Sequence, residues 1–255
     1  PAITFTTPET ITLSVSDGHI FEDKNFGLTT APEEIMGEIF VDTNGNAIRE
    51  KSEDEGISGA LLMLQGTSVF GTPLSRSMLS DAKGKYAFEQ VPAPIGEGYI
   101  LSASEIPGYA PTSLPYRSIL FGESEDTLEE NFSFAKSVTV LGTVHTDAGE
   151  ALPGVTLHLE GTSVIGDPVT RKATTDSEGR YSFENLPFPR GEYTVSIDEE
   201  TLSEDFVALD ESTQLIAISR SGEIVERDFT FAAASRIEGK ASMEEYEEDE
   251  EYEEN

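Results

Sequence analysis

Six residues in one short stretch could hold a metal ion. In DTNGNAIREKSEDEG, residues 42–56, oxygen donors stand at Asp42, Asn44, Asn46, Glu50 and Glu53, positions 1, 3, 5, 9 and 12 counted from Asp42. Position 7 offers the backbone carbonyl of Ile48. That is the spacing of a twelve-residue calcium loop. Alternate side chains of a tight loop point inward, and residue 12 returns from the far side to give both carboxylate oxygens. Hard oxygen donors with no His or Cys favour Ca²⁺ over a transition metal. One position departs from the pattern: position 6, usually Gly, is Ala47, where a positive φ is costly for a residue with a Cβ. Gly45 at position 4 could shift the turn, and Asp54 and Glu55 are expected to face water or add charge beside the site. The competing reading is a solvated acidic loop.

The elements that must position this loop come from an internal repeat. Residues 64–92 (LQGTSVFGTPLSRSMLSDAKGKYAFEQVP) and 159–187 (LEGTSVIGDPVTRKATTDSEGRYSFENLP) align without a gap at a shift of 95. The period matches one small β-sandwich and is too long for a solenoid unit. Each repeat opens on an apolar–Gly strand, Met36-Gly37-Glu38-Ile39 and Leu141-Gly142-Thr143-Val144, and closes on an aromatic one, NFSFA at 131–135 and DFTFA at 228–232. The openings are offset by 105 but the strands after Gly59 and Gly154 by 95, so the first repeat holds ten extra residues. They fall in the candidate loop, and HTDAGEALPG stands there in the second repeat.

Strict alternation in GVTLHLEG at 154–161 puts Val155, Leu157 and Leu159 on one face and Thr156, His158 and Glu160 on the other. The matching inward set is Ala60, Leu62 and Leu64. Its outward partners include Leu61 and Met63, which are apolar where a half-buried sheet is normally polar. Leu61 and Met63 are therefore expected to be covered, by the 42–56 loop, the strand at 20–28 or a partner chain, while Thr156 and His158 stay exposed. Asp81-Ala-Lys-Gly84 and Asp176-Ser-Glu-Gly179 suit type I turns closing hairpins. The fold class that follows is all-β, as tandem sandwiches of antiparallel sheets spanning 33–135 and 137–233. NFGL at 25–28 repeats the closing signature, so residues 1–30 read as terminal strands of a preceding truncated repeat. Ile237-Glu238-Gly239 repeats the opening one, so 234–255 reads as the start of a further repeat or an acidic tail.

Charge narrows the partners. The net charge is −33, and nine acidic groups in EEYEEDEEYEEN at 244–255 leave −24 on the rest. Such a field repels nucleic acid and anionic membranes and attracts divalent cations. No apolar run is long enough to cross a bilayer as a helix. There is no cysteine, which removes disulfides and thiolate sites. His19, His145 and His158 have no metal spacing, no GxSxG elbow occurs, and the opening strands lack the Lys that an intramolecular isopeptide with Asn131 or Asp228 would need. Carbohydrate platforms usually need exposed aromatics. Trp is absent, which leaves Tyr109 and Tyr116.

The apolar-Gly-x-apolar opening, GVTLHL and TDSEGRYSFENLP together resemble transthyretin-like (prealbumin-like) modules of secreted and surface proteins, with an Ig-like Greek-key sandwich. Residues 142–195 look closest to carboxypeptidase-regulatory-like domains. Residues 36–92 resemble the calcium-binding B-type repeats of serine–aspartate-repeat surface adhesins, whose opening strand leads into an Asp-x-Asn-x-Asn/Asp loop. The resemblance implies an extracellular or cell-surface, non-catalytic stalk or scaffold with one repeat stiffened by Ca²⁺. The partners it implies are neighbouring repeats, a protein or glycan ligand, or further copies of the chain. The alternatives are an accessory region of a large secreted enzyme and an assembly subunit of a surface layer or filament.

Overall fold

The computed structural model describes residues 3–5, 28–30, 33–52, 55–121, 127–203 and 205–234. Short strands β1 (Ile3–Phe5) and β2 (Leu28–Thr30) pair antiparallel as a separate two-stranded sheet. Phe26, Glu53, Asp54 and residues 235–255 lie outside the described residues.

The first repeat runs β3 (Glu33–Val41), β4 (Leu61–Ser68), β5 (Pro73–Leu79), β6 (Lys85–Val91), β7 (Pro94–Ala103), β8 (Tyr109–Pro111), β9 (Tyr116–Ile119), β10 (Thr127–Glu129) and β11 (Phe132–Lys136). The second runs β12 (Val138–Thr146), β13 (Thr156–Thr162), β14 (Pro168–Thr174), β15 (Arg180–Leu186), β16 (Glu192–Ile197), β17 (Phe206–Ala208), β18 (Thr213–Ala217), β19 (Ile224–Glu226) and β20 (Phe229–Ala233). In each repeat one sheet has four strands in the order β5-β4-β7-β9 or β14-β13-β16-β18. The other is built on the opening strand. β6, β10 and β11 all pair with β3, and β15, β19 and β20 all pair with β12.

These second sheets are mixed rather than antiparallel. The opening strand runs parallel to the closing pair, Ile39 beside Phe132 and Val144 beside Phe229. The closing strand breaks midway, and a side chain fills the gap in the ladder. Asn131 Oδ1 accepts the Glu38 N–H at 2.8 Å and Asp228 Oδ1 accepts the Thr143 N–H at 2.7 Å. An amide left unpaired in such a ladder would cost about 1–3 kcal/mol, which gives Asn131 and Asp228 a structural task.

Two separate cores result, one around Leu62, Leu64, Tyr99 and Phe132 and the other around Leu157, Leu159, Tyr193 and Phe229. The expected inward sets are all buried: Ala60, Leu62 and Leu64, and Val155, Leu157 and Leu159. Each fully buried aliphatic side chain contributes about 1.5–3 kcal/mol. The shared glycine at 66 and 161 makes room for an aromatic ring. A Cβ on Gly66 would lie 2.6 Å from Tyr99 Cδ1, and one on Gly161 2.5 Å from Tyr193 Cδ1. Those tyrosines then donate to the Pro92 and Pro187 carbonyls at 2.9 and 2.6 Å. Burial raises the pKa of both phenols above the ordinary value. The Asp turns form as their spacing requires. Gly84 N–H reaches the Asp81 carbonyl and Gly179 N–H the Asp176 carbonyl, both at 3.0 Å.

The outward faces reverse the expectation at Leu61 and Thr156 and erase the expected contrast between Met63 and His158. Leu61 is 38% exposed and Met63 half-buried, whereas Thr156 is only 5% exposed and His158 half-buried. The cause is the length of a connection. Eight residues join β16 to β17, and they curl into a 3-10 turn, Glu199–Thr201, over Thr156. Thr201 Oγ1 accepts the Thr156 N–H at 2.9 Å, and the Thr156 carbonyl accepts Asp198 N–H. Only five residues join β7 to β8, too few to fold over Leu61.

Candidate functional site

The 42–56 loop leaves and rejoins the sheet at one point. Val41 N–H donates to the Glu55 carbonyl at 2.9 Å, and Phe40 bridges Gly56. In the second repeat the same hairpin closes through Thr146 N–H to the Glu150 carbonyl, with His145 bridging Ala151. The two bridges enclose chains that differ by ten residues, so the insertion lies where the offsets place it.

Inside the loop, side-chain oxygens fold the backbone step by step. The buried Asp42 carboxylate accepts N–H bonds from Asn44 (3.3 Å), Gly45 (2.7 Å) and Ala47 (2.8 Å). Asn44 Oδ1 then accepts Asn46 N–H at 3.1 Å, and Asn46 Oδ1 accepts Ile48 N–H at 2.8 Å. Both carboxamides converge on Glu50: Asn44 Nδ2 donates to one carboxylate oxygen and Asn46 Nδ2 to the other, each at 3.0 Å. Arg49 turns back to the sheet, 2.9 Å from Glu38 and stacked over Phe40. The departure at position 6 is tolerated: Ala47 takes φ 60° and Gly45 φ 74°. Asp42, which receives both their amides, offsets the strain.

The structure thus brings Asp42, Asn44, Asn46 and Glu50 into one cluster. Ile48 stays in the loop with its side chain 61% exposed, and Glu53 falls outside the described residues. Among the described residues no group of three or more His, Asp or Glu side chains could hold a metal. Of the acidic candidate ligands, Asp42 and Glu50 lie among the described residues, and Glu55 is engaged by Lys136, so a full Ca²⁺ shell requires the neutral carboxamide oxygens and Glu53. The donor chemistry fits Ca²⁺, because every candidate ligand is oxygen.

Position in the fold is the feature that sequence reasoning missed. The loop is wedged against the second repeat. Gly45 is buried under Phe188, with a hypothetical Cβ only 2.4 Å from the ring's Cδ1. The Thr43 carbonyl accepts Ser221 N–H at 2.8 Å. Glu55, at the loop's exit, pairs with Lys136 at 2.9 Å, and that hydrogen bond raises the pKa of the Lys136 ammonium above the ordinary value. Lys136 N–H donates to Ser221 Oγ at 2.7 Å, and Gly222 N–H returns to the Lys136 carbonyl. A single residue, Ser137, separates β11 from β12. The one signal in the sequence was that short spacing, which leaves no linker between the closing and opening strands.

A cavity of about 600 Å³ lies between the repeats, lined by Leu114, Tyr116 and Phe134 on one side and Ile165, Pro168 and Arg171 on the other. Tyr109 and Tyr116 lie on different sheets and form no common platform.

Residues 139–209 match the carboxypeptidase regulatory-like domain. That stretch begins in β12 and ends after β17, and it includes the segment whose residues resembled the same family. No curated protein sequence matches the chain. Among solved structures, the Bacillus anthracis TIE protein is similar at 19% identity and a TM-score of 0.34, over 82% of this chain and 37% of that one. The chain thus spans little more than a third of that relative. The shaft pilin SpaA from Lactobacillus rhamnosus GG is similar at 10% identity and TM-score 0.35, over 81% and 100% of the two chains. A Streptococcal ancillary pilin is similar at 14% and 0.38, over 81% and 64%. None of these likenesses bears on function. Among the described residues no helix is long and apolar enough to cross a membrane.

Proposed function

We propose that this chain is a non-catalytic, extracellular stalk or scaffold segment of a cell-surface or secreted protein, two β-sandwiches held end to end, with Ca²⁺ stiffening their junction. The observation that carries the reading is the seat of the loop: Gly45 and Thr43 bear on Phe188 and Ser221 of the next repeat. The resemblance of residues 36–92 to calcium-binding B-type repeats supports it, as does the ligand spacing from Asp42 to Glu53.

The chain's own residues supply the mechanism. Asp42, Glu50, Glu53, Asp54 and Glu55 crowd one loop against Arg49 and Lys51. Like charges at this density repel, and a divalent cation relieves the repulsion. Asp42, Asn44, Asn46, the Ile48 carbonyl, Glu50 and Glu53 would hold the ion. Fixing the loop fixes the surface on which Phe188 rests. Extracellular calcium modules bind with Kd on the order of 10⁻⁴–10⁻³ M. At ~1 mM Ca²⁺ and the tight end of that range, the gain is about 1.4 kcal/mol. Isothermal calorimetry tests the site: millimolar Ca²⁺ should bind the chain, and no heat of binding would refute the calcium part of the reading.

A further inference from the structure

The outward faces of the two four-stranded sheets have the same strand order and opposite chemistry. In the second repeat the middle cross-strand row runs Lys172–His158–Ser196–Thr213, and the row beside it runs Thr170–Glu160–Thr194–Leu215. In the first repeat the same row runs Ser77–Met63–Ser102–Tyr116. Its neighbouring rows hold Leu61 beside Leu79, and Gln65 beside Ser75 and Ile100. None of the three rows contains Asp, Glu, Lys or Arg. On a chain with net charge −33, a four-stranded face without a charge stands apart. It is also solvent-exposed and apolar: Leu79 is 60% exposed, Tyr116 53%, Ile100 46% and Leu61 38%.

We propose that the outward face of the β5-β4-β7-β9 sheet is a self-association surface, on which a second copy of this chain docks face to face through Leu61, Met63, Leu79 and Ile100. Two arguments select a second copy. An isologous interface must tolerate its own chemistry, which an acidic patch cannot do and a neutral one can. A face whose exposed bulk is branched aliphatic, with one aromatic ring and no Trp in the chain, suits sheet-on-sheet packing at about 10 Å better than it suits stacking on a sugar. The area sets the strength. Four strands about 4.8 Å apart, each presenting about 20 Å of length, offer roughly 400 Å² per copy. A stable interface needs about 800 Å² per partner, so the pairing is transient. It also has a salt signature, because the remaining surface of both copies is acidic. The Debye length falls from about 10 Å at 0.1 M salt to about 3 Å at 1 M, so repulsion fades as salt rises while the neutral contact persists.

Sedimentation velocity of the full chain without divalent ions, up to ~500 μM, tests this. The expected result is a monomer–dimer equilibrium whose dissociation constant tightens about tenfold between 0.1 and 1 M NaCl. Leu79→Glu with Ile100→Glu should abolish the dimer, and circular dichroism and the melting temperature should remain those of the parent. Lys172→Glu, on the corresponding face of the second repeat, should leave the dimer intact. A monomer at every concentration and salt, a dimer that survives the Leu79/Ile100 pair of changes, or a dimer that weakens with salt would each overturn the proposal. Retention on a neutral glucan by chains that stay monomeric would overturn it in favour of a carbohydrate occupant. Ca²⁺ binding at the 42–56 loop plays no part in the outcome.

Discussion

Gly45 of the first repeat lies directly beneath the ring of Phe188 of the second, with no room for even a methyl group between them. A residue of the candidate calcium loop is therefore also a residue of the inter-repeat junction.

Gly45→Ala should pry the repeats apart. The added Cβ meets the Phe188 ring, and φ 74° disfavours any side chain there. We expect a loss of about 1–3 kcal/mol, with the first and second repeats melting at separate temperatures and faster proteolysis near Ser137. Scanning calorimetry and limited trypsin digestion check both. A single unshifted transition would mean that the contact does no mechanical work.

Calcium binding should depend on the acidic ends of the loop. Glu50→Gln and Glu53→Gln should each abolish the Ca²⁺-dependent rise in melting temperature, read for each variant against its own metal-free melt; Glu50→Gln also breaks a carboxamide bond inside the loop and lowers that metal-free melt. A fragment of residues 137–233, which closes the same hairpin through Thr146 and Glu150, should show no such rise. Equal binding by that fragment would place the site elsewhere.

The hairpin turns should make the chain acid-sensitive. Backbone N–H bonds from Lys85 and then Lys83 hold Asp81 below the ordinary carboxyl value of 3.8. Arg180 N–H, followed by the N–H of Glu178 and the Arg180 side chain, does the same for Asp176. Both groups have depressed pKa values in the folded state. Their stabilisation is thus fully present above the unfolded value and is lost as pH falls through the folded one. Melting temperatures measured from pH 6 to pH 2 should fall below about pH 4. Asp81→Asn with Asp176→Asn should flatten that limb, and an unchanged slope would remove the turns as its cause.

The tyrosine that lies on the shared glycine should matter through its hydroxyl. Tyr193→Phe deletes the 2.6 Å bond to the Pro187 carbonyl and leaves the ring on Gly161. A loss of about 1 kcal/mol by urea titration is expected. No loss would show that water satisfies that carbonyl equally well.

Much of this architecture is legible in the residues. Two-residue alternation marked Leu62, Leu64, Leu157 and Leu159 as inward, Asp and Gly three apart marked the hairpin turns, and the change of offset from 105 to 95 located the inserted loop. Each of those signals is local. What escaped depends on chain that arrives from elsewhere. Alternation tells which face Thr156 occupies but not that Glu199–Thr201 will fold over it. The aromatic closing strands announced their burial but not that they run parallel to the opening strands, because facing direction is the same either way. The loop's donors could be read from spacing. Its seat on Phe188, 143 residues beyond Gly45, could not.

The most direct test is a distance distribution across the junction. The chain has no cysteine, so Lys83→Cys with Thr170→Cys places one spin label on an exposed site in each repeat. Pulsed electron–electron resonance should give a single distance peak that narrows when Ca²⁺ is added, and Glu53→Gln should cancel the narrowing. A broad distribution, unchanged by millimolar Ca²⁺, would contradict a calcium-stiffened junction.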